Sequence, residues 1–319
     1  MVTAPAPGKL KDMHAPRMVI VTPVYQDAEN LAITARAMAR QTRPPELWMI
    51  VDDGSLDDTP AVAEAICDDL PFARLLRIDP QDKSDGLATA SEATAFNAGL
   101  RAAGDGWDLI GKFDSDLDFP AGYLARLVRA LDEDPALGLV GGHLLERHEG
   151  ELVDMDKVPD DHVRGATKLY RAACFADIGG IEEVLGWDTL DEMRAQMHGW
   201  RTRSLHGLGI VHLRPRASRG GALKGARRLG RCAHAVGYDP LFVVVRTGWI
   251  AGREPKVLGA LSYFAGWLGA TVRRQERIVT PQERRWLRRA QRRRLLRGGR
   301  QPAQVTDPSP RSAAPLTVS

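Results

Sequence analysis

The stretch GKFDSDLDFP, residues 111–120, sets Asp114, Asp116 and Asp118 at alternate positions directly after an apolar run. An Asp-x-Asp on a strand-end turn aims two carboxylates roughly the same way. Mg2+ and Mn2+ commonly take one or two carboxylates together with substrate phosphates. The same acids would also suit a solvated turn, so their meaning depends on what surrounds them. A second acidic pair, Asp52 and Asp53, ends the apolar part of ELWMIVDDGS, and Asp188, Asp191 and Glu192 lie together in GWDTLDEMRA. A carboxylate held beside a hydroxyl can act as general base, contributing about 10²–10⁴-fold in rate.

The elements that must position these residues alternate in type. RMVIVTPV (17–24) is a β-branched run ended by Pro23, and DAENLAITARAMARQ sets Leu31, Ala35 and Met38 at helical spacing. ELWMIVDDGS predicts a second strand. DTPAVAEAICDDL predicts a helix with Thr59 as N-cap and Pro60 at the first helical position. ARLLRID, then ATASEATAFNAGLRAA, then WDLIGKFDSD continue as strand, helix and strand. Pro120 is expected to start a further helix with Leu124, Leu127, Val128 and Leu131 on one face. Four such alternations predict an α/β fold, a mostly parallel twisted sheet flanked by helices on both faces. Ligands of such sheets lie beyond the carboxyl ends of the strands, where Thr22, Tyr25, Asp52, Asp53, Asp114 and Asp116 all fall. LGLVGGHLLER (137–147) predicts another strand, and HEGELVDMDKVPDDH an exposed acidic loop.

A hydrophobic content of 44% and a charged content of 27% over 319 residues are those of a soluble globular protein with a sizeable core. Cys67, Cys174 and Cys232 are far apart without metal-ligand spacing, the usage of a reduced compartment. The Pro/Ala-rich N-terminus has no apolar h-region, so no secretory signal is expected. The net charge of +3 hides an asymmetry. Arg273 to Arg300 holds 12 arginines against Glu276 and Glu283, and 301–319 is balanced, which leaves −7 on residues 1–272. A basic tail on an acidic body suggests attraction to something anionic. With Trp286 as its only aromatic, that tail makes a poor nucleic-acid module, and no nucleic-acid partner is expected.

VTPVYQDAEN, IVDDGSLDDT, AFNAGLRAA and FDSDLDFP stand in the order and spacing of glycosyltransferase family 2. The likeness continues through GATKLYRAACFADIGGI and GWDTLDEMRAQMHGWRT to VHLRP, about residues 17–216. The chain therefore resembles that family, which implies a GT-A fold with a Rossmann-like sheet, a nucleotide-sugar donor, and Mn2+ or Mg2+ as cofactor. The resemblance implies that Pro23 and Tyr25 shape the base pocket and that Asp53, with Asp52 beside it, binds the nucleoside. It makes Asp114 a contact to ribose or metal and Asp116 a metal ligand on the donor diphosphate. Asn97 matches the Asn of the small-residue helix, either as a ligand contact or as a residue that caps or orients a turn. Asp118 is expected to face solvent. Gln26 and Asp27 replace the family's Asn and Glu, and neither is expected to matter for the chemistry.

The family's general base is the Asp of a Glu-Asp pair before a helix that ends in Gly plus an aromatic. Counting back from Gly199 and Trp200 gives Asp188, with Trp187 in place of the Glu. Asp191, one turn on, and Glu192 remain alternatives. Asp188 also sits where an N-cap would, at a helix start that favours acids. His212, in GIVHLRP, is either a metal ligand, as in some relatives, or a satisfied core histidine.

The function implied is inverting transfer from a nucleoside-diphosphate sugar, a UDP-sugar by family frequency, to a hydroxyl of a glycan or lipid-linked acceptor in surface polysaccharide biosynthesis. Nucleotidyl transfer, or another metal-dependent nucleotide-binding enzyme, is the alternative, although VTPVYQDAEN lacks the Gly-rich, Arg/Lys-bearing phosphate loop that nucleotidyl transfer normally wants. The organisation expected is a flexible N-terminus (1–16), a GT-A domain (17–216), a helical extension (217–275), and a basic helix with a disordered tail (276–319). VLGALSYFAGWLGATV (257–272), within that extension, is shorter than the ~20 residues a spanning helix needs, and its small residues and Trp267 suit either a helix packed on the body or one lying in a membrane interface. Followed by arginines interleaved with Trp286, Leu287, Leu295 and Leu296, it predicts a cytoplasmic protein peripheral to the inner face of the cell membrane, its tail on anionic lipid.

Overall fold

The apolar run MVIVTPV forms the central strand β1 (Met18–Val24) of a nine-stranded sheet. The computed structural model describes residues 15–79, 90–148, 151–153, 160–214, 221–252 and 255–296. β1 pairs in parallel with β2 (Leu47–Asp52) and β4 (Leu109–Phe113), and β2 with β3 (Ala73–Arg77). The crossovers are helices α1 (Ala28–Ala39), α2 (Thr59–Asp69) and α3 (Ser91–Ala103). The parallel α/β half expected from sequence is therefore present.

Alternation along β1 and β2 sends Met18, Ile20, Trp48 and Ile50 to one face, against Leu31 and Met38 of α1 and Ile66 of α2. Val19, Val21, Met49 and Val51 point the other way, against Phe96 of α3. Each fully buried side chain of this kind contributes about 1.5–3 kcal/mol. Trp48 keeps its indole N–H satisfied by Oγ1 of Thr22 at 2.9 Å. Gly99 lets α3 sit directly on the sheet, since a Cβ there would lie 2.5 Å from Val51 and 2.6 Å from Val21.

Beyond β4 the sheet becomes mixed. β5 (Leu117–Asp118), α4 (Tyr123–Glu133), β6 (Leu137–His148), β7 (Glu151–Val153), β8 (Thr167–Arg171), α5 (Ala172–Asp177), α6 (Trp187–Met197) and β9 (Arg201–His212) follow in order. β8 inserts antiparallel between β4 and β6, β9 runs parallel to β6, and β5 pairs antiparallel with β9. The four helices after β9 are α7 (Ala222–Ala235), α8 (Pro240–Ala251), α9 (Lys256–Val272) and α10 (Pro281–Leu296).

Three local expectations shift. α2 begins at Thr59 with Asp58 in the cap position, and the Thr59 hydroxyl instead accepts the Asp27 N–H at 2.8 Å. α4 begins at Tyr123, because the carbonyls of Pro120 and Ala121 accept hydrogen bonds from Gln41 and Thr42. The acidic loop after β6 contains β7, an exposed strand that pairs back on β6. Residues 154–159, 1–14 and 297–319 lie outside the described residues.

The extension is tightly built. A Cβ on Gly230 of α7 would lie 2.9 Å from the Trp267 nitrogen, and one on Gly266 of α9 would lie 3.0 Å from the Arg227 carbonyl carbon, so the two backbones touch. α10 is anchored: Leu287 packs with Leu190 and Met193 of α6, Glu283 bonds Arg194 at 2.7 Å, and Gln291 accepts the Asp239 N–H at 2.8 Å. No helix among the described residues is long and apolar enough to cross a membrane.

Candidate active site

The turn after β4 carries the Asp-x-Asp, and α1 holds it in place. Oγ1 of Thr34 donates to the carbonyls of Ser115 and Leu117 and accepts the Leu117 N–H, all within 2.8–2.9 Å. Ser115, between the two acids, donates to Oδ2 of buried Asp27 at 2.9 Å. Asp27 also pairs with Arg214 just past β9. Pairing of β5 with β9 sets Leu117 opposite His212, and the Leu213 N–H donates to the Asp116 carbonyl at 2.8 Å.

Asp114, Asp116 and His212 thus converge, with one ligand atom from each lying within 4.8 Å of the others. His212 Nε2 is 3.4 Å from Oδ1 of Asp116. Burial alone would lower the His212 pKa. The hydrogen bond to Asp116 and the charges of Asp116, Asp114 and Glu146 more than offset it and raise the imidazole above its ordinary value. Two carboxylate oxygens and one imidazole nitrogen form a donor set suited to a divalent ion such as Mn2+. Asp118 lies on the surface in an ion pair with Arg40.

Two buried lysines lie beside this group. Lys112 and Lys168 are register partners on β4 and β8, and their ammonium groups sit 5.1 Å and 5.3 Å from the Trp187 ring centroid. Lys112 pairs with Asp114 and Glu92. Lys168 donates to both carboxylate oxygens of Asp191 (2.6 and 2.7 Å) and to the Asp188 carbonyl at 2.7 Å. Asp191 further accepts from Tyr170 and from the Glu192 N–H. Its exposure is 2%, and burial raises its carboxyl to about 6 against the opposing pull of Lys168. Glu192 is engaged by His162 and the Val163 N–H.

Asp188 differs from both. It is half-buried, and its carboxylate makes no hydrogen bond or ion pair with the described residues. It is not an N-cap: the cap position belongs to Gly186, in the left-handed region at φ 91°, and Asp188 is the second residue of α6. Of Asp188, Asp191 and Glu192, Asp188 is the one whose carboxylate has no such partner among the described residues.

Pro23 is the next-to-last residue of β1, Tyr25 follows the strand, and the Asp53 N–H donates to the Val24 carbonyl at 2.9 Å. Asp52 is fully buried, accepts the Ser55 N–H at 3.0 Å and pairs with Arg77, so its carboxylate orders the loop. Asn97 donates to the Ile181 carbonyl at 2.8 Å and to Glu183 at 3.0 Å, the geometry of a residue that orients a turn. Sequence reasoning passed over Lys112, Lys168 and Asp27. A lone lysine inside LIGKF and another inside TKLY were the available signals, since a charge in a buried strand needs a partner.

Residues 19–168 match the family model described as glycosyl transferase family 2. No curated protein sequence matches the chain significantly. Among solved structures, the chain is similar to the mannosyltransferase PcManGT from Pyrobaculum calidifontis, solved in complex with GDP-Man and Mn2+. The two share 17% identity over 89% of this chain and 81% of that one, at a TM-score of 0.54. It is also similar to TarS residues 1–349 of S. aureus, at 15% identity over 85% of this chain and 77% of that one, TM-score 0.50. At such identities the likeness speaks for the fold, which is the GT-A glycosyltransferase type. The mixed sheet with its Asp-x-Asp turn, and the match over the segment that contains that turn, identify residues 19–168 as a glycosyl transferase family 2 domain and the chain as a glycosyltransferase.

Proposed function

We propose that the chain transfers a sugar, with inversion, from a nucleoside-diphosphate sugar to a hydroxyl of a glycan or lipid-linked acceptor. The observation that carries the reading is the convergence of Asp114, Asp116 and His212 beside a lysine pair that also holds the first turn of α6. Asp114, Asp116 and His212 would hold Mn2+ or Mg2+; when bound, the ion neutralises the leaving diphosphate as a Lewis acid. Pro23, Tyr25 and Asp53 line the nucleoside end. Asp188 accepts the proton of the acceptor hydroxyl as that oxygen attacks the anomeric carbon opposite the departing diphosphate. Lys168 fixes α6 through the Asp188 carbonyl and Asp191, which makes Asp191 a positioning residue.

A uridine nucleotide is the first donor to test, and guanosine the second, because the PcManGT complex holds GDP-Man. The glycosyl transferase match leaves nucleotidyl transfer without support. The proposal extends to a GT-A domain over 17–216, with a helical extension behind it. It also places the protein at the inner face of the cell membrane, serving surface polysaccharide assembly. Titration calorimetry of UDP and GDP with and without Mn2+ tests the site. Metal-dependent affinity is expected in the wild type and is expected to disappear in Asp116→Ala with the fold intact. Equal affinity in both proteins would rule the site out.

A further inference from the structure

In water a helix hides its large apolar residues and shows its polar ones. α9 instead leaves several of its large apolar residues exposed. Ala260, Tyr263, Gly266 and Ala270 face inward, while Val257, Leu261, Ala265, Leu268 and Val272 are exposed at helical spacing, Leu261 by 59% and Val272 by 72%. Its neighbour α8 exposes Leu241, Val244, Val245 and Trp249, again one face by spacing. These two neighbouring helices thus each leave large apolar side chains exposed, the kind of surface that marks an interaction site.

Charge decides what covers it. The described residues from 221 to 275 include eight lysines and arginines against one acid, Asp239, which is buried and paired with Arg292. Lys256 opens α9, and Arg273 and Arg274 follow its last residue, so cations bracket the apolar stripe at both ends. A second copy docked symmetrically on this face would set one positive rim against another. A membrane interface offers an apolar interior beneath anionic headgroups, which matches both properties. At 17 residues, α9 spans about 26 Å and suits lying in the interface plane. Trp249 supplies the aromatic that settles at headgroup level.

We infer that the α8–α9 face is the membrane-docking surface of this protein, seated in the interface of a bilayer containing anionic lipid. The inference rests on the peripheral placement proposed above and moves it from the arginine helix to the apolar hairpin. α10 is unsuited to lead, because part of its charge is engaged in the fold: Arg288 bonds the Gly237 carbonyl, and Arg292 and Arg294 pair with Asp239 and Asp161. Arg285, Arg289 and Arg293 are its exposed stripe.

Vesicle co-sedimentation of the full chain tests the assignment, using phosphatidylcholine alone and phosphatidylcholine mixed with phosphatidylglycerol. The wild type should pellet with the mixed vesicles. Val245→Glu/Leu261→Glu, at two exposed positions, should weaken that binding by about tenfold or more, with the melting temperature and Mn2+-dependent nucleotide affinity unchanged. Arg285→Glu/Arg289→Glu should have the smaller effect. If the arginine variant is released while Val245→Glu/Leu261→Glu binds as wild type does, the face assignment fails and the peripheral placement stands. Wild-type protein left in the supernatant with both vesicle types would overturn both. A dimer seen by light scattering, dissolved by Val245→Glu/Leu261→Glu and indifferent to vesicles, would give the face to a second copy and overturn the inference.

Discussion

Removing the ammonium of Lys168 should expose how the charged cluster under α6 is balanced. Asp191 is buried with donors from Lys168, Tyr170 and the Glu192 N–H. Burial raises its carboxyl from 3.8 to about 6, so the folded state binds its proton more tightly than the unfolded state between those values. Stability contributed by this group therefore falls as pH rises through that window, by about 3 kcal/mol at ~1.4 kcal/mol per unit. Lys168 is the main influence opposing the rise. In Lys168→Met the carboxyl should titrate above 6, and the loss should extend to higher pH. With the wild-type carboxyl at about 6, the variant should lose up to about 3 kcal/mol more than the wild type at pH 8, two pH units at ~1.4 kcal/mol each, the low end of the cost of breaking a buried pair from one side. At pH 5, where Asp191 holds its proton in both chains, the two should converge. Urea unfolding at both pH values measures this. Lys168→Met/Asp191→Leu, which empties the site of charge, should recover much of the loss at pH 8. An equal penalty for Lys168→Met at both pH values would refute the electrostatic account and leave lost packing as the cause.

Asp188→Asn should lower kcat by about 10²–10⁴-fold with donor affinity unchanged, read by steady-state kinetics beside calorimetry; full activity there, with loss in Asp191→Asn, would move the base one turn along α6. His212→Ala should weaken Mn2+ binding, followed by electron paramagnetic resonance of the free ion, and should leave metal-free nucleotide affinity near the wild-type value. Gly266→Val forces a side chain into the Arg227 carbonyl, where overpacking costs about 1–3 kcal/mol; a melting temperature equal to the wild type would contradict the close crossing of α7 and α9.

The parallel half of the sheet and its ligand edge were legible in the sequence because each strand there is an apolar run followed by a polar turn. Asp114, Asp116 and His212 were named from spacing and family likeness, yet nothing local shows that β5 pairs with β9 to bring them together. That pairing joins segments distant in the chain. The polarity of β8 was equally hidden, since TKLYR reads as a strand in either direction. The N-cap assigned to Asp188 failed because Gly186 takes a left-handed conformation that only tertiary packing explains. Asp27 was set aside as a neutral departure from the family pattern, and in the fold it joins α1, the Asp-x-Asp turn and Arg214.

Backbone against backbone at Gly230 and Gly266 leaves no side chain at that crossing of α7 and α9 to absorb a load. Interiors packed this closely transmit displacement. Farther along, Cys232 of α7 and Val236 at its C-cap press on Gly186, where a Cβ would stand 2.7 Å from the Cys232 sulfur and 3.0 Å from Val236. Gly186 caps the helix whose second residue is Asp188. Force applied to the outer helix of the extension is therefore borne by the residue that caps α6. In mechanical terms the extension is a strut, and loosening it at Gly230 would shift Asp188 without altering any group beside that acid.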